Sequence, residues 1–411
     1  MKLSQQDNVV ITPFSIYSIL LYHRLKRQGI KVKAFFDRNS QLQNNDYDGI
    51  PVLLPIIQKN SKIIVCSERY ESEIIKQLVD YAGNGEVISC KRIDTQFSNQ
   101  DVAKDVLLDQ YKVIVPNAAF LADGILKLKK LHRLANPPSA GEADNMPLPN
   151  MSRIILILTE KCTLKCKYCG TLNQYFEKPK DIDLSVLEDE FDIFIRTIDF
   201  VDEMHIIGGE PLLYPHLAEI IRYIYKHPLT NKKIGYVRIV TNGTLIPKDD
   251  VLAACKETET SILISNYAEY SRKIDELVSA LEEWRVIYCV QGHNTWALTS
   301  QLCKPDRDIE TLAFQHTTQC ITSCRALKSG KFYHCSFLAN ADDLHAIPYS
   351  ERNYVDLFAS DFSREKLAIY LSKQYPPVGC AFCNGCSKEQ WENDRIPEAE
   401  QCYEVIEYKK Y

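Results

Sequence analysis

Three cysteines on one short loop set the chemistry this chain could perform. In TEKCTLKCKYCG, Cys162 is followed by three residues, then Cys166, two more residues and Cys169. Thiolates at that spacing can each hold a different iron of a cubane 4Fe–4S cluster and leave the fourth iron open. Zinc is the rival metal. Structural zinc closes its tetrahedron with four protein ligands, often on two CxxC knuckles, and three cysteines leave that set incomplete. Tyr168, an aromatic residue just before the third cysteine, fits the iron–sulfur reading.

A second group of thiols lies far downstream. CITSCRALKSGKFYHC contains Cys320, Cys324, Gly330 and Cys335, and GCAFCNGC places Cys380, Cys383 and Cys386 at two-residue gaps. Tetrathiolate zinc and an iron–sulfur cluster both suit such a set. The other cysteines are dispersed: Cys66, Cys90, Cys255 and Cys289 read as small buried hydrophobes, and Cys303 and Cys402 lie outside the groups.

Composition narrows the setting. The 411 residues are 45% hydrophobic and 25% charged, which suits a globular protein of two or three domains. A formal charge of −5 offers no basic face for nucleic acid. The most apolar early stretch, Val9–Leu25, is broken by Pro13, His23 and Arg24, so no membrane span is expected, and MKLSQQDN carries no secretory signal. The expected compartment is the reducing cytoplasm, where clustered cysteines bind metal or react rather than form disulfides.

The elements that must position the thiols can be read from periodicity. Residues 1–135 alternate strands (Asn8–Thr12, Lys31–Phe36, Ile63–Cys66, Val87–Cys90, Val113–Val115) with helices (Ser15–Gln28, stopped by Gly29, and Glu71–Tyr81). That βαβ rhythm predicts a doubly wound, Rossmann-like layer. Residues 136–150, within LANPPSAGEADNMPLPN, read as a linker. The strand Arg153–Leu158 then runs straight into the first cysteine loop. Beyond it come a helix with Leu187, Phe191, Ile195 and Ile198 on one face, with Ser185 and Glu188 as its expected capping box. The strand Met204–Ile207 runs into Gly208-Gly209-Glu210-Pro211, Val237–Val240 into Thr241-Asn242-Gly243-Thr244, and Ile262–Ile264 into Ser265-Asn266-Tyr267.

From about Ile154 to Val290 these motifs, in this order, resemble the radical S-adenosylmethionine (radical SAM) superfamily. The resemblance implies a partial (β/α)6 barrel over residues 151–310. It also implies S-adenosylmethionine on the open iron of the Cys162/Cys166/Cys169 cluster, with Gly208, Gly209, Glu210, Thr241, Asn242, Ser265 and Tyr168 around the cofactor. An electron would come from a donor such as flavodoxin or ferredoxin. The arrangement Cys320-x9-Gly330-x4-Cys335 with a downstream CxxC is similar to the SPASM or shorter twitch extension, expected over 311–411. Its last cysteines follow CX2CX2C and so depart from the full SPASM pattern. One auxiliary 4Fe–4S cluster is implied, on Cys320 or Cys324, Cys335 and two of Cys380, Cys383 and Cys386; a second would need Cys402 and Cys303.

The first quarter, with KVKAFFDRN, YDGIPVL and KIIVCSERYESEI, resembles the small Rossmann-like domain attached to sugar-modifying and polysaccharide-biosynthesis proteins. Its first strand–helix turn, ITPFSIYS, lacks the glycines a dinucleotide phosphate needs, so Asp37 reads as a strand-end cap and no NAD site is expected. The expected activity is oxidoreductase-like hydrogen abstraction from a sugar, nucleotide-sugar or related small substrate. Two alternatives stand beside it: modification of a peptide side chain, and a non-catalytic cluster-bearing scaffold. His293 and Trp296 are expected near the barrel mouth with a packing or capping role. Tyr267 and Arg238 read as structural and His205 as a satisfied core histidine. The acidic residues near Glu398 read as a solvated face.

Overall fold

The computed structural model describes residues 1–55, 60–67, 71–78, 85–114, 124–125, 127–128, 131, 148, 151–292, 295–322, 324–372, 375–404 and 406–411. These form two compact units, Met1–Ser139 and Ala140–Tyr411. The linker read at 136–150, Leu148 apart, lies outside the described residues, as do His293 and Val115. No helix among the described residues is long and apolar enough to cross a membrane.

The first unit is built on β1 (Asn8–Thr12), β2 (Val32–Phe36), β3 (Asp46–Tyr47), β4 (Ile50–Leu53), β5 (Ser61–Val65) and β6 (Glu86–Ser89), in the order β3-β4-β2-β1-β5-β6. Every neighbouring pair is parallel except β3 with β4. Without the β3 ribbon this is the 3-2-1-4-5 strand order of a doubly wound layer, as the alternating pattern predicts. The expected strand at Val113–Val115 is not formed: Val113 and Ile114 belong to the helix Leu108–Ile114. Buried Tyr111 and Ile114, three residues apart, follow helical rather than alternating spacing. Asp37 closes the end of β2 as a cap, accepting from Phe14 N at 3.0 Å and Asn39 N at 2.8 Å.

The second unit holds β7 (Met151–Ile157), β8 (Val201–Ile207), β9 (Ile234–Thr241), β10 (Ser261–Ser265), β11 (Tyr288–Gln291), β12 (Thr295–Ala297), β13 (Cys324–Lys328), β14 (Lys331–Tyr333), β15 (Tyr354–Asp356) and β16 (Arg395–Pro397). Its main sheet runs β11-β10-β9-β8-β7-β13-β14-β15. β7 to β11 are parallel neighbours in chain order, and the sixth parallel strand, β13, pairs with β7. So the stretch expected to form a separate extension supplies the sixth barrel strand and joins beside the first one. β12 pairs with β16 instead.

Two-residue alternation sorts the β7 side chains. Ile154, Leu156 and Leu158 enter the core shared with the helices Leu184–Thr197, Leu217–Lys226 and Asp249–Thr258, whereas Ile155 and Ile157 face the cysteine-rich side with Phe337, Leu338 and Phe382. Leu187, Phe191, Ile195 and Ile198 are all fully buried, as their spacing predicts. The capping box at Ser185 does not form, because the helix already begins at Leu184 after Asp183 and Ser185 sits inside it.

Candidate metal and cofactor centre

The first cysteine loop starts where β7 ends, and it is held there by the end of β8. Leu158 N donates to Ile207 O at 2.9 Å, Gly209 N to Thr159 O at 2.8 Å and Glu210 N to Lys161 O at 2.8 Å. This zipper brings two backbones so close that side chains between them are excluded. A Cβ added at Gly208 would lie 2.6 Å from Thr159 Cγ2, and one at Gly209 2.6 Å from Cys162 Cβ. The glycine pair is therefore demanded by the fold of the cysteine loop itself.

Glu210, fully buried, works through its neighbours. Its carboxylate accepts from Leu212 N at 3.1 Å, Thr241 Oγ1 at 2.8 Å and Asn242 N at 2.8 Å, and burial pushes its pKa up to about 7. It thereby fixes the end of β9 against the end of β8. Asn242, so held, sends Nδ2 to Thr163 Oγ1 at 3.0 Å and faces Cys162 Sγ at 3.7 Å.

Cys162, Cys166 and Cys169 are brought together around Leu164 and Ala399, with Tyr267, Tyr270 and Trp296 packed alongside. Each sulfur has a polar partner: Leu164 N at 3.5 Å for Cys162, Gln401 Nε2 at 3.4 Å for Cys166 and Thr171 Oγ1 at 3.1 Å for Cys169. Burial pushes the Cys162 and Cys166 thiols up to about 12, so in the metal-free chain they are protonated near neutral pH and iron must displace those protons. Among the described residues no three His, Cys, Asp or Glu side chains converge as a single metal ion requires. A cubane asks less, because each thiolate serves its own iron. The three adjoining thiols and the glycine cradle fit such a group.

A buried cation clamps both ends of the loop. Lys328 Nζ, on β13, donates to Glu160 Oε1 at 2.9 Å, Asn340 Oδ1 at 2.8 Å and Asp343 Oδ2 at 2.7 Å. Glu160 lies two residues before Cys162, and Asn340 Nδ2 donates to Thr171 O, two residues after Cys169. A charge so buried requires this full set of partners.

β13 and β14 also build the second thiol group. Ser329 (φ 54°) and Gly330 (φ 78°) are both left-handed, which makes the two-residue turn that suits the twist of a tight hairpin. That turn delivers Cys335 just after β14. Burial chiefly, with Cys320 and Cys380 close by, pushes the Cys335 and Cys383 thiols up. Cys386 hydrogen-bonds Cys320 and accepts from Thr322 Oγ1 at 3.3 Å. Cys324, at the start of β13, packs on the same core as Cys335, Cys380 and Cys383, and its sulfur lies 3.5 Å from the Arg153 guanidinium.

Ser265 ends β10 and hydrogen-bonds Tyr267, which stacks edge-on against Trp296 at 5.3 Å. Tyr168 lies under the Lys167 ammonium, and its carbonyl accepts from Gln301 Nε2 at 3.2 Å. His205 is satisfied by Glu203 at 2.7 Å, and Arg238 by Ser261 at 3.2 Å. The segment around Glu398 is largely solvated, as expected, but two of its residues turn inward. Glu398 accepts from Trp296 Nε1 at 2.8 Å, and Ala399 is fully buried against the first cysteine loop.

Comparison with known proteins agrees with this geometry. The model of the Radical SAM superfamily matches residues 156–285. The chain carries a radical SAM domain. Similar proteins include GTP 3′,8-cyclase 1 of Mycobacterium tuberculosis, 33% identical over 98 residues, 23% of this chain and 27% of that protein. PqqA peptide cyclase of Ruegeria pomeroyi is 30% identical over 107 residues, 26% of each chain. The S-adenosylmethionine-dependent nucleotide dehydratase of Selenomonas ruminantium is 31% identical over 94 residues, 23% of this chain and 31% of that one. The match thus spans between 26% and 31% of the length of these relatives. Among solved structures, BtrN in complex with AdoMet and 2-DOIA gives a TM-score of 0.37 at 14% identity, covering 60% of this chain and 99% of that one. Native anSMEcpe with bound AdoMet gives 0.38 at 13% identity, covering 57% and 82%.

Proposed function

We propose that this protein is a radical SAM enzyme acting on a C–H bond of a sugar, nucleotide-sugar or related small substrate. The observation that carries the enzymatic reading is that Gly209 and Glu210 hold the start of the cysteine loop, at Thr159 and Lys161, by backbone hydrogen bonds, with Cys162, Cys166 and Cys169 gathered just beyond. These three thiolates would hold a 4Fe–4S cluster, which together with S-adenosylmethionine would supply one-electron, radical-forming chemistry. The chain's own residues hold the loop rigid: Lys328 fixes its two ends, Glu210 and Asn242 brace Cys162, and Tyr267, Tyr270 and Trp296 shield the thiols from water.

Support for a small substrate comes from the doubly wound first unit and from the similarity to proteins named as a nucleotide dehydratase and a GTP cyclase. A peptide substrate is the second reading, favoured by the similarity to PqqA peptide cyclase. We further propose an auxiliary 4Fe–4S cluster on Cys320, Cys335, Cys380 and Cys383, because Cys320 and Cys380 lie near both Cys335 and Cys383. The electron is assigned to a small donor such as flavodoxin or ferredoxin, and the compartment to the cytoplasm. Anaerobic incubation with S-adenosylmethionine and panels of nucleotide-sugars and of peptides tests the substrate. A nucleotide-sugar whose mass changes in step with 5′-deoxyadenosine supports the first reading; a change confined to peptides overturns it.

A further inference from the structure

Residues 399–402 close over the first cysteine loop. Cys402 N donates to Lys165 O at 2.7 Å and Lys167 N to Glu400 O at 2.7 Å, so Cys166 and Gln401 face each other across an antiparallel bridge. The Gln401 side chain then folds onto the loop. Oε1 accepts from Lys165 N at 2.8 Å, while Nε2 donates to Ala399 O at 2.6 Å and faces Cys166 Sγ at 3.4 Å. The neighbours fix which way the amide points: turning it over would set NH2 against an N–H and oxygen against a carbonyl. One N–H is thereby aimed at the sulfur.

We propose that Gln401 is a positioning residue that sets the reduction potential of the cluster on Cys162, Cys166 and Cys169 through its hydrogen bond to the Cys166 sulfur. The inference rests on the function proposed above. An N–H donated to a cluster thiolate withdraws electron density from it and favours the reduced state, whose charge is more negative. Gln401 thus makes the cluster easier to reduce. The neighbouring Lys167–Glu400 ion pair at 3.2 Å is solvent-exposed and contributes little to this effect.

The test is an anaerobic redox titration of the reconstituted full chain, followed by electron paramagnetic resonance. The first cluster is identified as the signal missing from the Cys162→Ala/Cys166→Ala/Cys169→Ala variant. Gln401→Met keeps length and removes the donor; Gln401→Glu keeps the acceptor for Lys165 N and turns the donor into a negative charge. The expected result is a lower midpoint potential for Gln401→Met, lower again for Gln401→Glu, with unchanged iron content. Wild-type potentials in both variants overturn the proposal. So does loss of the cluster from Gln401→Met, which would make the residue a structural staple only. A wild-type chain with no signal dependent on the three cysteines overturns the proposed function and the inference with it.

Discussion

Replacing Glu210 by Ala would remove the acceptor on which three donors, one part-buried and two buried, depend. Leu212 N, Thr241 Oγ1 and Asn242 N all point at a carboxylate with no solvent exposure, so water does not replace it without rearrangement. Each donor left unsatisfied costs about 1–3 kcal/mol, and the three together about 3–9 kcal/mol. At about 2 °C per kcal/mol for a unit of this size, that corresponds to a fall in Tm of roughly 6–18 °C. Glu210→Gln keeps one acceptor oxygen but sets an NH2 group against a donor, for a smaller loss of about 1–2 kcal/mol. Differential scanning calorimetry of both variants in the metal-free state reads the stability, and S-adenosylmethionine binding after anaerobic reconstitution reads the site. The expected order is wild type, Gln, Ala in both assays. A Glu210→Ala variant that melts within about 2 °C of wild type would refute the claim that this carboxylate ties β8 to β9.

Glu190 gives a pH test. Its carboxyl, buried on the helix Leu184–Thr197, accepts among the described residues only from Gly330 N at 2.6 Å, and burial pushes it up to about 8 from an ordinary 4.5. Between those values the folded chain holds a proton that the unfolded chain has released, so wild-type stability falls as pH rises from about 4.5 to about 8. Glu190→Gln should remove that slope and be more stable near pH 8 by roughly 1–3 kcal/mol, read from denaturant unfolding across pH; parallel slopes would contradict it. Because Asp37 is engaged by Phe14 N and Asn39 N, calorimetry on the full chain should detect no micromolar affinity for NAD(H) or NADP(H). The triple Cys162/Cys166/Cys169→Ala variant should remain brown after reconstitution, with roughly four irons on the second thiol group; a colourless variant holding zinc would make that group structural.

Much of the site was legible because its parts are local. The Cys162–Cys169 loop, the glycine pair and the Thr241-Asn242 step each follow a strand whose apolar run announces it. The spacing around Gly330 left Cys320 and Cys324 as alternatives, and it marked the hairpin turn, where Ser329 and Gly330 are both left-handed. What stayed hidden was long-range pairing. Gln401 meets Cys166 across 235 residues, and Lys328 meets Glu160 across 168, with no periodicity to announce either. Ser185 misled because a capping-box spacing also fits one residue inside a helix start. The sixth strand was hidden for a related reason: β13 looks like part of a hairpin, and only tertiary pairing adds it to β7.

The central claim is that Cys162, Cys166 and Cys169 form the reacting centre. Its most direct test is the formation of 5′-deoxyadenosine by the anaerobically reconstituted, reduced full chain given S-adenosylmethionine, compared with the triple alanine variant. Product is expected from the wild type and none from the variant. Equal product from both would contradict it.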